Sequence, residues 1–517
     1  MRVRDRPWEA LCCTALLFLP ARAAPAALPR PPTPQECLAA SGGRCLTPAT
    51  LRALYGLGPL GGPGPTGRGV TVGVVVSFGS PTLRHDLAVY DQQYGLPALS
   101  LQTVAPAGEP PAFDPTDPDR LGWAGETTLD VEMVHVIAPD AKILVITTPV
   151  SETEGLQGFP EIIRSENAVL GRVDVLSQSF AATEPTFDSA QQIRRLSEQI
   201  YPQAKAAGVT VVSATGDNGP VDAMRDGHTL FARAVTDWPA SDPLVTAVGG
   251  TTVHVGADGQ RISPDAAWGG RPGAGAGGGG VSEVFARPRF QDGVKATVGA
   301  HRGVPDVALD AAVAGGLITY GSYSPVGWSV GGGTSQATPL FAGLVALADG
   351  QAGARLGYLN DALYRLGAAG GIRDVTAGSN ALVDAGGQRN PVPGYPARPG
   401  YDLATGLGSI DATRFVPAII AARRGQLAPL AAAGAAAGTG PAPAGSAPAG
   451  SASPGATSGP RAAPPPQPGR APRGPSAGAS RELLPVGAVA AAAVLLGAAL
   501  AALGVTVRRR RRSRPMR

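Results

Sequence analysis

Ser335 stands in Gly331-Gly332-Gly333-Thr334-Ser335-Gln336-Ala337-Thr338-Pro339, followed by Leu340 to Ala348, a stretch with helical patterning. Three glycines let a backbone approach closely, and a serine on the turn entering a helix lies near unpaired N–H groups that can stabilise an oxyanion. The same residues also fit a glycine-rich turn capped by Thr334 or Ser335. A serine nucleophile needs a base. In Glu126-Thr-Thr-Leu-Asp130-Val-Glu132, Glu126 and Asp130 fall one helical turn apart on one face. Such a pair fits a solvated surface. However, Leu129, Val131, Met133 and Val134 make this helix apolar, and in a buried pair two close carboxyls share a proton while one orients the other as base. Asp217, in Ala214-Thr-Gly-Asp217-Asn-Gly219, reads either as a turn aspartate or as a third acid of the site.

Histidine is the competing base. The segment Gly-Thr-Ser-x-Ala-Thr-Pro resembles the serine motif of subtilisins, which pair it with a His followed by Gly-Thr. None of His85, His135, His228, His254 and His301 is followed by Gly. His228 precedes Thr229, but Met224-Arg-Asp-Gly-His-Thr229 is polar and loop-like.

These side chains need a frame. Val70 to Ser77, Lys142 to Thr147, Val173 to Ser177 and Val209 to Ser213 are apolar, β-branched runs that read as buried strands. Thr127 to Ile137 and Ala190 to Ile200 carry apolar residues every three or four positions and read as helices. Strands of continuous apolar character alternating with helices predict an α/β fold with a parallel sheet covered on both faces. In such sheets the site lies at the carboxyl ends of the strands, and Asp217 follows one of them.

The chain has 517 residues, with 43 Lys and Arg against 39 Asp and Glu. Seven of those arginines, Arg508 to Arg512, Arg514 and Arg517, lie in the last ten residues, and without them 36 basic residues face 39 acidic ones. A basic balance owed to one terminal cluster gives no support for nucleic-acid binding. A monomer is expected.

Both ends carry export signals. Arg2, Arg4 and Arg6, the apolar Leu11 to Leu19 and Ala21-Arg22-Ala23 have the order of a signal peptide covering residues 1–23. Residues 24–47 then form a short extension whose Cys37 and Cys45 pair in an oxidising compartment. Residues 426–482 are dominated by Ala, Gly, Pro and Ser, as in Pro464-Pro-Pro-Gln-Pro468, and read as a disordered stalk. Leu483 to Val507 is long and apolar enough to cross a bilayer. The arginines of residues 508–517 keep the C-terminus cytoplasmic by the positive-inside rule. The expected location is the cell membrane, single-pass, with the globular part, residues 48–425, extracellular.

Residues 48 to 415 resemble the sedolisin family, the serine-carboxyl peptidases of subtilisin-like fold. The likeness is carried by Leu51-Arg-Ala-Leu-Tyr55, Asp86-Leu-Ala-Val-Tyr90, Glu126 to Glu132, Ser213 to Gly219, Ala247-Val-Gly-Gly-Thr251, Pro305-Asp-Val307 and the Gly-Thr-Ser motif. It implies Ser335 as nucleophile, Glu126 as general base and acid, Asp130 as its orienting partner and Asp217 as the oxyanion-hole acid. A carboxylate base near its ordinary pKa works in acid, where a protonated Asp217 can donate to the oxyanion. The resemblance also implies a calcium site on Arg373-Asp374-Val375 and Arg398-Pro-Gly400-Tyr-Asp402. Asp374 and Asp402 would bind by side chain, and Val375, Arg398 and Gly400 by backbone carbonyl.

Three features depart from the family. Gly332 stands where Ser is usual, which would loosen the loop, and Arg398 stands where Gly is common. Only about 25 residues separate Ala23 from the catalytic unit, so either the control usually exerted by a long prosegment differs or that segment is absent from this chain. The expected activity is that of an exported, membrane-anchored serine-carboxyl endopeptidase acting on polypeptides. The alternatives are a histidine-dependent subtilisin-like protease and an inactive surface binding protein of the same fold.

Overall fold

A computed structural model describes residues 30–152, 158–324 and 326–425. The signal peptide, the stalk, the apolar run 483–507 and the basic tail all fall outside the described residues. Among the described residues no helix is long and apolar enough to cross a membrane.

The four apolar runs form strands as the sequence predicts, with ends shifted by at most two residues: β1 (Thr71–Ser77), β3 (Lys142–Thr148), β4 (Val175–Gln178) and β5 (Thr210–Ala214). Two further strands were not read from the sequence, β2 (Ser100–Val104) and β6 (Thr246–Thr252). The short β7 (Ala266–Ala267), β8 (Val307–Asp310) and β9 (Ala377–Gly378) complete a nine-stranded sheet. Its order is β2-β3-β1-β4-β5-β6-β7-β9, with β8 also paired to β6. Every pairing is parallel except β6 with β7. β1, β4 and β5 are buried on nearly every residue, which is why they read as continuous apolar runs rather than as alternation.

Helix α1 (Leu83–Tyr94) joins β1 to β2, and α2 (Pro118–Ile137) joins β2 to β3. Asp117 caps α2, its carboxylate accepting the N–H groups of Asp119 and Arg120, and Pro118 sits at the first position, where its missing N–H costs nothing. These signals start the helix well before Thr127, the first position at which the apolar repeat is continuous. Helix α3 (Phe159–Asn167) packs on β3, and the Ala190–Glu198 helix, α4, ends short of Ile200 before a new helix, Tyr201–Ala206, that packs on β5. Pro202, in the first turn of that second helix, cannot continue α4. Helix α5 (Thr334–Ala352) lies against α2 and against β1, β4, β5, β6 and β8. Helices therefore supply layers on both faces of the sheet. This is the subtilisin-like α/β fold.

Residues 30–47 are part of the same body. Cys37 and Cys45 are disulfide-bonded, and Leu46 N–H donates to Gly316 O while Ile318 N–H donates to Leu46 O. The segment thereby adds a rung to the hairpin formed by Ile318–Gly321 and Gly327–Val330, whose second strand leads into the Ser335 turn.

Candidate active site

Packing of α2 against α5 decides between the readings of Glu126 and Asp130. Glu126 is 1% exposed and Asp130 is fully buried, so the pair is not a solvated face. Ser179, the first residue after β4, donates its hydroxyl to Asp130 Oδ1 at 2.8 Å. Neither Glu126 oxygen nor Asp130 Oδ2 has a hydrogen-bond partner among the described residues. Burial is the main force pushing both carboxyls above their ordinary range; each bears on the local charge balance, with Glu126 raising Asp130 and Asp217 raising Glu126. Ser335 faces Glu126 and offsets part of that push, although no hydrogen bond of good geometry closes between them. The expectation of a base near its ordinary pKa is thus corrected: a carboxylate walled in by α2 and α5 loses hydration and holds its proton more tightly.

Ser335 is accessible where its neighbours are not. From Gly331 to Leu340 it is the one residue that is not buried. The cap of α5 is Gly333, at φ +86°, and no side chain caps the helix. The capped-turn reading of Thr334 and Ser335 therefore does not hold. Thr334 instead faces sideways, its backbone N–H donating to Asp217 Oδ1 at 2.7 Å and its hydroxyl to the same oxygen at 2.9 Å. A Cβ on Gly333 would lie 2.7 Å from Asp217 Oδ2, so the acid packs directly on the turn. Asp217 keeps some open surface, but burial of its carboxyl raises its pKa to about 6, against the lowering effect of the two Thr334 donors.

Pro339 completes the arrangement. It lies four residues after Ser335 inside α5 and has no N–H to offer the Ser335 carbonyl. The Ser179 hydroxyl stands 3.4 Å from that carbonyl oxygen. Ser179 therefore bridges the two helices that carry Asp130 and Ser335. The sequence reading overlooked Ser179 and considered Thr334 only as a cap. The signal for Ser179 was its position just past the carboxyl end of a strand.

Gly332 does not loosen the turn. A Cβ there would meet Val313 Cγ2 at 2.4 Å and Val313 N at 2.9 Å, so this chain has no room for the usual Ser. No hydrogen bond or ion pair joins any histidine to Ser335, Glu126, Asp130 or Asp217 among the described residues. His135 is buried against Asp91 and Pro97 O at 3.1 and 3.0 Å, and the other four histidines are exposed.

Asp374 and Asp402 converge on one loop. Asp374 accepts the N–H of Gly400 at 2.8 Å, and Asp402 accepts those of Arg398, Ala404 and Thr405. No group of three or more His, Cys, Asp or Glu side chains suited to a metal stands together among the described residues. A site here would draw two carboxylates and the carbonyls of Val375, Arg398 and Gly400, an all-oxygen donor set that fits a hard cation such as calcium.

The subtilase family model matches residues 122–354. Kumamolisin from Bacillus sp. (strain MN-32) is 33% identical over 356 residues, covering 67% of this chain and 59% of kumamolisin. Sedolisin from Pseudomonas sp. (strain 101) is 29% identical over 360 residues, covering 67% and 57%. This chain belongs to the sedolisin family. The solved structure of Pseudomonas sedolisin, a serine-carboxyl proteinase complexed with two molecules of pseudo-iodotyrostatin, superimposes with a TM-score of 0.62 at 26% identity, covering 74% of this chain and all of that one. The match to these sedolisins spans less than two thirds of the length of either curated relative.

Proposed function

We propose that the protein is a serine-carboxyl endopeptidase. One observation carries this reading: an accessible Ser335 enters α5 facing the buried Glu126–Asp130 pair, with Asp217 fixed on the other side by Thr334. Ser335 Oγ attacks the scissile carbonyl carbon while Glu126 takes the hydroxyl proton, and the carbonyl oxygen becomes an oxyanion. Asp130, held by Ser179, orients Glu126. Protonated Asp217 and the Ser335 N–H, which precedes the first turn's hydrogen bond from Gln336 to Gly333, stabilise the oxyanion. Glu126 then gives its proton to the leaving amine, leaving an acyl-enzyme on Ser335. Water adds to that ester, Glu126 again accepting and returning a proton, and releases the acid product.

The working state needs one negative charge on the Glu126–Asp130 pair and a proton on Asp217. Burial holds Asp217 to about 6, so loss of its proton limits the reaction on the alkaline side. Burial also pushes Glu126 up to about 8, and a neutral Asp217 removes the charge that adds to that push, so protonation of Asp217 eases ionisation of the base. The chain is exported and held at the cell surface by the apolar run 483–507, a reading supported by the order of charged and apolar segments at its two ends. Calcium bound by Asp374, Asp402 and the carbonyls of Val375, Arg398 and Gly400 would brace the loop that contacts Asp306, whose backbone carbonyl accepts Leu407 N–H. Rapid acid quench during turnover of a peptide ester, followed by mass spectrometry, tests the acyl-enzyme. The acyl mass is expected on the peptide containing Ser335, and its attachment elsewhere or its absence under burst conditions refutes the mechanism.

A further inference from the structure

The loop that carries Asp217 rests on a second pair of acids. Gly216 has φ +92°, and a Cβ placed on it would lie 2.4 Å from Asp237 Oδ2 and 2.9 Å from Asp222 Oδ2. Both carboxyls therefore press on the backbone directly behind Asp217. Asp237 is 4% exposed, on a short strand, Asp237–Trp238, paired with Ala182–Thr183. Asp222 Oδ1 accepts Asn218 Nδ2 at 2.8 Å and Ala223 N–H at 2.6 Å, so it ties down the residue that follows Asp217.

The surroundings supply no compensating cation. Glu184, also buried, faces the pair from the next element, and its oxygens accept Ser282 Oγ and Glu283 N–H at 2.6 and 2.7 Å. Thr183, opposite Asp237 on the paired strand, gives its hydroxyl to Ala223 O at 2.9 Å, and Asp217 is the remaining acid nearby. Among the described residues no Lys, Arg or His forms an ion pair with Asp222, Asp237 or Glu184. Touching carboxyls without a cation cannot both ionise freely. The hydrogen bonds indicate which one keeps the proton: Asp222 Oδ1 already accepts two N–H donors, whereas Asp237 Oδ1 has no partner among the described residues. Burial, followed by the charge of Asp222, pushes Asp237 well above the usual carboxylate range. The charge of Asp222 also raises Asp217.

We propose that Asp222 and Asp237 are positioning residues: a proton-sharing pair pressed against the Gly216 backbone that holds the Asp217 loop in place. The proposal rests on reading Asp217 as the oxyanion donor. The pair lies behind the backbone and touches neither nucleophile nor base. As pH rises past the point where Asp237 gives up its proton, two anions would face each other under Gly216 and the loop would lose its support.

The test uses the full chain and its Asp222→Asn, Asp237→Asn and Asp217→Asn variants. The readouts are kcat/KM against pH on an internally quenched peptide and carboxyl 13C NMR titration of aspartate-labelled protein, with Asp217→Asn assigning the Asp217 signal. Asp222→Asn removes a carboxyl that bears on Asp217, so the alkaline limb and the Asp217 titration should both move down by more than about 0.3 pH unit. Asp237→Asn keeps a hydrogen-bond donor toward Asp222, so its limb should stay within about 0.3 of wild type. An unmoved Asp217 titration in Asp222→Asn overturns the proposal. So does an equal loss of activity in both variants at every pH, which is what mere structural support would give. Should Asp222→Asn fail to fold, the wild-type titration decides: one carboxyl of the pair must stay protonated through pH 7, and two ionised carboxyls there refute the pairing. Full activity in Asp217→Asn would instead sink the reading of Asp217 while leaving its titration coupled to Asp222.

Discussion

Thr334 gives two hydrogen bonds to a single oxygen of Asp217, from its N–H at 2.7 Å and its hydroxyl at 2.9 Å. The residue next to the nucleophile thus sets both the position and the acidity of the group aimed at the oxyanion. Its donors stabilise ionised Asp217 and work against burial, which keeps the net value at about 6. Replacing Thr334 by Val removes the hydroxyl and leaves the N–H. The Asp217 pKa should then rise, the alkaline limb of kcat/KM should move to higher pH, and kcat should fall about tenfold as the acid loses an anchor. A pH-rate series on Thr334→Val checks the direction. A limb displaced toward acid would contradict this role.

Gly332 predicts a steric effect. Because Val313 occupies the space a Cβ would need, Gly332→Ser should destabilise the protein by about 2 kcal/mol and lower kcat by displacing the Ser335 turn. Gly332→Ser combined with Val313→Ala should recover part of both losses. Thermal unfolding and single-turnover rates on the two variants measure this.

Buried acids outside the site make stability depend on pH. Glu166 is 1% exposed, its Oε1 accepting Gln178 Nε2 at 2.5 Å, and burial raises its pKa to about 8. Its folded pKa therefore exceeds the unfolded value of about 4.3. The protonated form favours the fold fully below that value, and the contribution is lost as pH rises through about 8. Glu166→Gln keeps the acceptor and cannot ionise. It should match wild type near pH 4 and exceed it by about 2 kcal/mol at pH 8. Denaturant unfolding at the two pH values is the measurement.

If calcium binds at Asp374 and Asp402, a chelator should lower the melting temperature by about 5 °C. Asp402→Asn should abolish that response while leaving Ser335 acylation detectable. Arg398 offers only its carbonyl there, so Arg398→Gly should keep the chelator response.

Strands and the disulfide were legible because their signals are local: β-branched runs for β1, β3, β4 and β5, and two cysteines eight residues apart. The helix bearing Glu126 was legible only in its second half, since Gly122 and Gly125 interrupt the apolar repeat and the start is set by the Asp117 cap. The spacing of Glu126 and Asp130 placed them on one face but could not say whether that face is wet or dry, a matter decided by α5 more than 200 residues later. The contacts of Ser179 with Asp130 and of Thr334 with Asp217 join positions 49 and 117 residues apart. A lone serine or threonine carries no mark of such partners. The raised pKa of Glu126 was missed for the same reason, since desolvation is a property of the packed helices rather than of the motif.

The central claim is that a carboxylate, and not a histidine, activates Ser335. The most direct measurement is kcat/KM of the full chain on a peptide substrate from about pH 3.5 to pH 8 for wild type, Glu126→Gln, Ser335→Ala and His135→Gln. Activity should peak in acid, decline above about pH 6 with loss of the Asp217 proton, and fall by at least about 10³ in Glu126→Gln and Ser335→Ala while persisting in His135→Gln. Near wild-type turnover in Glu126→Gln, or an optimum above pH 7 that vanishes in a histidine variant, would contradict it.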